Sequence, residues 1–317
     1  MNPSRQRLAI ALTGLALAAN VAGCSPSPAP TPTPIVSQGV PDLTPPPSSV
    51  APSSSAAPDG SPDASPSAPG GDTSLVRAYF FLGGEPGTDG LVPVLREVPG
   101  TQAIGAAAMT ALLAGPTAEE RADRVITTAV PSRSRLLGLT IQDGIATVDL
   151  SSDFESGGGS ASVLIRLGQV VFTLTQFPTV QGVVFHIEGR PATVFSSEGI
   201  VLDRPVGRGS FNDQLSAIFV DRPAYGAALG NPARVAGSAN VFEATFLITI
   251  LDGSGVKIAQ SQGMATCGSG CRGTFDIAVP YEIPSAGWGT LRAWDGSAKD
   301  GSPENVREYP VWLTPSG

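Results

Sequence analysis

The sequence predicts two folded domains of different class, an α+β domain followed by an all-β sandwich, behind an N-terminal leader and an unstructured spacer. Three observations carry this reading. Residues 24–73 are dominated by Ser, Pro, Ala and Thr. Residues 74–206 mix period-two apolar runs with two stretches of helical period, and residues 215–314 show period-two runs separated by turn residues, with no helical period.

The leader comes first. Residues 1–23 contain Arg5 and Arg7, an apolar run from Leu8 to Ala19, and then Val21-Ala22-Gly23 ahead of Cys24. A basic start, a short apolar segment and small residues at a cleavage point have the anatomy of a secretory signal, and the run is too short to span a bilayer comfortably. A Cys directly after Val-Ala-Gly resembles the bacterial lipoprotein signal, in which that Cys is lipidated and becomes the mature N-terminus. The resemblance implies a palmitate-type anchor on Cys24 and a place on the extracytoplasmic face of the cell membrane. An ordinary signal with an incidental Cys is the alternative. Residues 24–73 cannot bury enough apolar surface to offset the entropy of ordering, so disorder is expected. Their Pro content favours extended backbone at roughly 3.1 Å per residue, a reach on the order of 150 Å.

Composition narrows the partners. A net charge of −8 over 317 residues argues against nucleic acid and against electrostatic docking to anionic lipid. Cys267 and Cys271 lie in Cys-Gly-Ser-Gly-Cys, and outside the cytoplasm so close a pair is most simply a disulfide clamping a Gly-rich turn. A metal site would need two further ligands, and His186 is the only His; no metal or other cofactor is expected.

In the first domain, 75–82 (LVRAYFFL) alternates as a strand with Val76, Ala78, Phe80 and Leu82 on one face, and 91–98 reads as a second strand with Pro93 near an edge or bulge. A helix is expected from Thr101, as its cap, to Leu113, stopped by Gly115-Pro116. Residues 136–141 and 145–150 flank Asp143-Gly144, a hairpin signal. From Ser160 to Phe177, Val163, Leu164, Leu167, Val170, Val171, Leu174 and Phe177 share one helical face. A strand over 180–188 and a short return to Phe195 complete a layer in which two helices cover a largely antiparallel sheet. Within this unit V-D-L-S-S-D-F (148–154), G-G-G-S-A (157–161), T-L-T-Q-F-P (173–178) and V-F-H-I-E-G (184–189) resemble the GerM N-terminal (GerMN) domain. That domain occurs in sporulation and germination proteins and in actinobacterial lipoproteins, and the resemblance implies a non-catalytic extracytoplasmic domain used for protein contacts.

In the second domain, strands are expected over 217–220, 234–237, 242–250, 256–260, 273–279, 289–294 and 306–313, with Asp252-Gly253-Ser254-Gly255 as a turn. About seven short strands without helices fit an immunoglobulin-like sandwich, with Trp288, Trp294 and Trp312 available to its core and ends. G-S-A-N-V-F-E-A (237–244), C-G-S-G-C-R-G-T-F (267–275), V-P-Y (279–281) and S-A-K-D-G-S (297–302) resemble the immunoglobulin-like domain of bacterial spore germination, which commonly follows a GerMN domain. It implies an interaction module.

Catalysis finds little support. No Gly-x-Ser-x-Gly elbow exists, and nucleophilic hydrolysis needs a Ser or Cys beside a base. His186 is expected on a strand, on the face opposite Val183, Phe185 and Ile187. Asp149, Asp153 and Glu155 form the best carboxylate cluster; paired carboxylates can perform acid–base work on glycans, but Ser151, Ser152 and Asp153 also suit a turn before the helix at Ser160, the favoured reading. Gly157-Gly158-Gly159 and the acidic loop 295–304 are weak candidates for an anion and for calcium. The expectation is a non-catalytic, lipid-anchored scaffold or accessory protein that binds envelope proteins, or its own copies, in sporulation, germination or envelope homeostasis. The rival is a wall-glycan-binding protein or peptidoglycan-active enzyme using Asp149 and Asp153.

Overall fold

Two long strands, β1 (Thr73–Leu82) and β2 (Gly90–Pro99), pair antiparallel over their whole length and begin the first domain. The computed structural model describes residues 72–315 apart from Pro86, so the leader, Cys24 and the spacer up to residue 71 lie outside the described residues, and the spacer's expected last residue, Thr73, already belongs to β1. Along β1, Val76, Ala78 and Phe80 are buried as the alternation requires, and Tyr79 on the other face is buried as well. Pro93 sits on the edge strand of the sheet, where its missing N–H costs no ladder bond.

Helix α1 (Ile104–Leu113) starts later than Thr101. Thr101 Oγ1 accepts from Ala103 N at 3.1 Å and makes no cap. A second helix, α2 (Ala118–Arg124), was absent from the expected elements. Its capping box is complete: Thr117 Oγ1 accepts from Glu120 N at 3.2 Å and Glu120 Oε2 accepts from Thr117 N at 2.8 Å. The short strand β3 (Ile126–Thr127) then pairs with the end of β1, giving the sheet order β2-β1-β3.

The hairpin of β4 (Leu136–Gln142) and β5 (Ile145–Leu150) turns at Asp143 (φ 51°) and Gly144 (φ 80°). Positive φ at both central residues is what a two-residue turn matched to strand twist demands. From β5 the chain crosses through α3 (Ser160–Leu174) and returns in the same direction as β6 (Gly182–Ile187), a parallel neighbour of β5. With β7 (Arg190–Pro191) this makes a second sheet, β4-β5-β6-β7. The single, largely antiparallel sheet of the sequence reading is therefore two sheets, one with a parallel pair. A small hairpin, β8 (Val194–Phe195) with β9 (Ile200–Val201), follows.

Helix α3 buries Val163, Leu167, Val170, Val171 and Leu174, but also Arg166, Gln169 and Thr173. The polar stripe has a backbone to satisfy. Because β3 reaches only Phe81 and Leu82, the rest of that β1 edge has no strand beside it among the described residues. Thr173 Oγ1 accepts from Tyr79 N (3.2 Å), Gln169 Nε2 donates to Tyr79 O (2.9 Å), Gln176 Oε1 accepts from Arg77 N (2.8 Å) and Gln176 Nε2 donates to Arg77 O (2.7 Å). Side chains stand in for the missing strand, as buried backbone groups require partners. The same use of Gln176, which also donates to Thr173 O at 2.6 Å, ends α3 three residues short of the apolar run to Phe177.

The second domain is a sandwich of eight strands: β10 (Ile218–Arg222), β11 (Ala228–Leu229), β12 (Ala233–Ala239), β13 (Thr245–Leu251), β14 (Lys257–Met264), β15 (Gly273–Val279), β16 (Gly287–Gly296) and β17 (Pro303–Leu313). They form sheets β10-β12-β15 and β11-β17-β16-β13-β14. The facing core includes Val235, Ile248, Ile250, Leu291, Tyr309 and Val311, with Phe246 and Phe275 at 4.4 Å between centroids. The strand expected from Phe242 begins at Thr245, because Glu243 (φ 54°) and Ala244 (φ 58°) are left-handed and leave Phe242 61% exposed. Trp288 and Trp312 are outside the core: they meet edge-to-face at 5.5 Å on neighbouring strands, 52% and 38% exposed. Period two sends Leu291 and Ala293 inward on β16, so Trp288 points out, and Trp294 Nε1 donates to Thr249 Oγ1 at 3.0 Å.

Candidate functional site

The two domains share one apolar core and belong to one compact unit. Tyr225, from the second domain, lies alongside the free edge of β2: its N–H donates to Pro93 O at 2.8 Å, and Leu95 N–H donates to Tyr225 O at 3.5 Å. Ala217 N–H donates to Gly87 O at 2.8 Å. The approach is close enough that a side chain at Gly90 would meet Ser216 N at 2.6 Å. Arg307 on β17, 3% exposed, donates to Thr88 O (2.7 Å), Gly90 O (3.2 Å) and Leu91 O (3.1 Å) in the first domain. Its hydrogen bonds go to three neutral carbonyls, a geometry that suits the planar five-donor guanidinium.

Farther along the seam a charged network crosses the domains. Tyr79 of β1 donates its hydroxyl to Asp221 of β10. Arg208, from the segment joining the domains, pairs with Asp221 at 3.2 Å and donates to Tyr79 Oη at 3.1 Å. Its guanidinium lies 4.6 Å from the Phe172 ring centroid and 5.4 Å from that of Tyr79. Phe172 of α3 in turn meets Phe219 of β10 edge-on at 5.7 Å. Burial, joined by the negative charge of Asp221, pushes the Tyr79 hydroxyl up to about 12.

Over this network opens a cleft of about 660 Å³. Its floor is the outer face of the β10-β12-β15 sheet around Ala236, Ser238 and Thr274, and its walls bring in Phe172, Arg208 and Asn212 from the other side of the seam. Arg222 and Arg272 stand at its margins. Arg272 bonds only neutral oxygens, Ser238 O and Oγ (3.3 Å each), Leu215 O (3.5 Å) and Ser216 O (2.9 Å), and burial pulls its pKa below the ordinary arginine value.

Comparison with known proteins agrees with this architecture. Residues 77–193 match the family model described as sporulation and spore germination, and residues 217–302 match the immunoglobulin-like domain of bacterial spore germination. The chain joins a GerMN-type domain to an immunoglobulin-like spore-germination domain. Among solved structures it is similar to the tandem GerMN domains of the sporulation protein GerM from Bacillus subtilis, with 24% identity, a TM-score of 0.37, and coverage of 43% of this chain and 46% of that one. It is also similar to the first GerMN domain of the same protein, with 19% identity, a TM-score of 0.37, and coverage of 43% and 98%. This chain therefore spans about half the length of the tandem structure. No curated protein matches it.

The residues singled out from sequence fall away from the seam. In the GerMN-type domain, Asp149 accepts from Gly189 N at 2.9 Å, Asp153 pairs with Arg133 at 3.2 Å, and Glu155 accepts from Ser196 N at 3.3 Å. Each carboxylate is committed to a partner distant in the chain within the same domain. His186 lies beside Asp149 in the parallel register of β5 and β6, off the face that buries Val183 and Phe185. Gly157 O is taken by Arg166 Nη2 at 2.8 Å, within the loop that leads to α3. In the immunoglobulin-like domain, Cys267 and Cys271 are joined in the turn between β14 and β15, immediately before Arg272. In the loop 295–304, Asp300 accepts from Ser302 N at 3.0 Å, and Asp295 accepts from Asn305 at 2.9 Å. Among the described residues no group of three His, Cys, Asp or Glu side chains is placed to hold a metal ion, and no helix is long and apolar enough to cross a membrane. Sequence reasoning missed Tyr79, Arg208, Asp221, Arg272 and Arg307, since a lone Arg within a strand pattern reads as a solvated residue.

Proposed function

We propose that the protein is a non-catalytic, lipid-anchored extracytoplasmic scaffold whose two domains act as one rigid head for envelope proteins, in spore formation, germination or envelope homeostasis. The observation that carries this reading is the seam: a shared core, an added backbone pairing at Tyr225, the buried Arg307 and the half-buried Arg208 fix the domains against each other. A fixed pair of domains presents a surface that neither has alone, and preorganisation lowers the cost of binding. The family matches support a germination-type role, and the use of Asp149, Asp153 and Glu155 in bonds that hold the first domain together fits a head without acid–base chemistry. Cys24 would carry the lipid, and the spacer would set the volume searched for a partner.

Proximity crosslinking on intact cells, with a Cys24→Ala variant as control, tests the proposal. The expected result is a reproducible envelope protein, lost or weakened when the anchor is removed. Recovery of muropeptides or glycan strands with no protein partner would overturn it in favour of wall binding.

A further inference from the structure

The interdomain cleft has more positive charge than the fold itself uses. Its two acids are taken: Asp221 by Arg208 at 3.2 Å, and Asp276 by Arg234 through two bonds of 2.8 Å. Arg222 and Arg272 remain: among the described residues neither makes an ion pair, and Asp276 and Asp213 act on them only from beyond that distance. Arg272 is held in place from several directions. The turn before it is closed by the Cys267–Cys271 bond, and it is bonded down by Ser269 N to Val241 O (3.0 Å) and Gly270 N to Asn240 Oδ1 (3.1 Å). A half-buried guanidinium that is desolvated, fixed and without a bonded carboxylate is a prepared site for an anion.

The rest of the cleft narrows the ligand. Phe172, Phe219 and Phe275 line it beside Leu215, and Ser238, Thr274 and Asn212 add neutral hydrogen-bonding groups. Its volume of about 660 Å³ falls within the roughly 300–1,000 Å³ of ligand sites generally. Two spare arginines in a chain of net charge −8 suit one or two carboxylates, whereas a polyanion would be repelled by the remainder of the surface.

We propose that this cleft binds a short acidic peptide segment of a partner protein, with its Asp or Glu carboxylates on Arg272 and on Arg222 and an adjacent apolar side chain against the Phe172–Phe219 wall. The assignment rests on the scaffold reading and names the chemistry of its partner.

Selection of random short peptides displayed against the purified full chain tests it. Enriched sequences should pair an Asp or Glu with an apolar neighbour. A synthetic peptide from that set should bind about tenfold more weakly when its acid is changed to the amide, or when the protein carries Arg272→Gln, as expected for loss of one charge-assisted bond. Arg222→Gln, at an exposed position, supplies the same test if Arg272→Gln fails to fold. Enrichment of basic or purely apolar sequences, no enrichment, or unchanged binding in both variants would overturn the proposal. So would binding to phosphatidylglycerol vesicles that the arginine variants abolish. The scaffold reading fails separately: a partner crosslinked on cells equally by wild type and Arg222→Gln removes only the cleft, whereas no protein partner with either removes the scaffold.

Discussion

Tyr79 concentrates much of the seam in one side chain. It is fully buried, its main chain is bonded by Thr173 and Gln169 of α3, and its hydroxyl joins Asp221 and Arg208. Its folded pKa of about 12 exceeds the ordinary value of 10.0. The folded state thus holds the proton more tightly than the unfolded chain. The stability linked to this is fully present below pH 10 and is lost as pH rises through about 12, by on the order of 2–3 kcal/mol. Urea titrations across that range should show the loss in the wild type and a smaller loss in Tyr79→Phe. Parallel curves for the two proteins would refute the coupling. Arg307 is the second such residue, since its only marks in the sequence are a charge and a strand-like context.

At the scale of elements, the exchange of a strand for side chains on the edge of β1 decides how the GerMN-type domain closes. Gln176 makes both a donor and an acceptor bond to Arg77 in place of a ladder. Gln176→Leu keeps the bulk and removes both, so it should cost about 2–3 kcal/mol by chemical denaturation. Gln142→Leu, at an exposed strand end, should stay within about 0.5 kcal/mol. Equal effects would mean that the pairing contributes nothing. The apolar side of α3 was legible in Val163, Leu167, Val170 and Leu174, and so was the Asp143-Gly144 hairpin, because both follow from local periodicity and turn chemistry. Helix α2 was overlooked although Thr117 and Glu120 spell its capping box: seven charged and small residues offer no apolar period. Its anchor is tertiary, Arg96 bonded to Glu120 at 2.6 and 2.8 Å.

For the whole molecule, the joint of the two domains sets the mechanical behaviour. A shared core and backbone pairing across the seam lead to one cooperative unfolding transition, where loosely linked domains would show two. Calorimetry on the wild type should give a single transition. Arg307→Ala leaves the carbonyls of Thr88, Gly90 and Leu91 without their donor, and should lower stability by about 3–5 kcal/mol and begin to separate the two domains. Two well-resolved transitions in the wild type would contradict the rigid head. The candidate cleft was not legible at all: Phe172, Arg208, Arg222 and Arg272 come from separate stretches of chain, and their meeting depends on how the domains dock.

The sequence by itself determined the class of each domain, their order, the main strands, the Asp143-Gly144 turn and the principal helix, because these rest on interactions between residues close in the chain. It also carried the motifs by which both domains resemble germination-type families. Tertiary structure alone decided that α3 crosses to make β5 and β6 parallel, that Trp288 and Trp312 face outward, and that α3 side chains replace a strand beside β1. It also decided that Tyr79, Arg208 and Asp221 meet beneath a cleft with unspent positive charge. Those outcomes depend on which distant backbone groups are left without partners, and only the packed chain sets that.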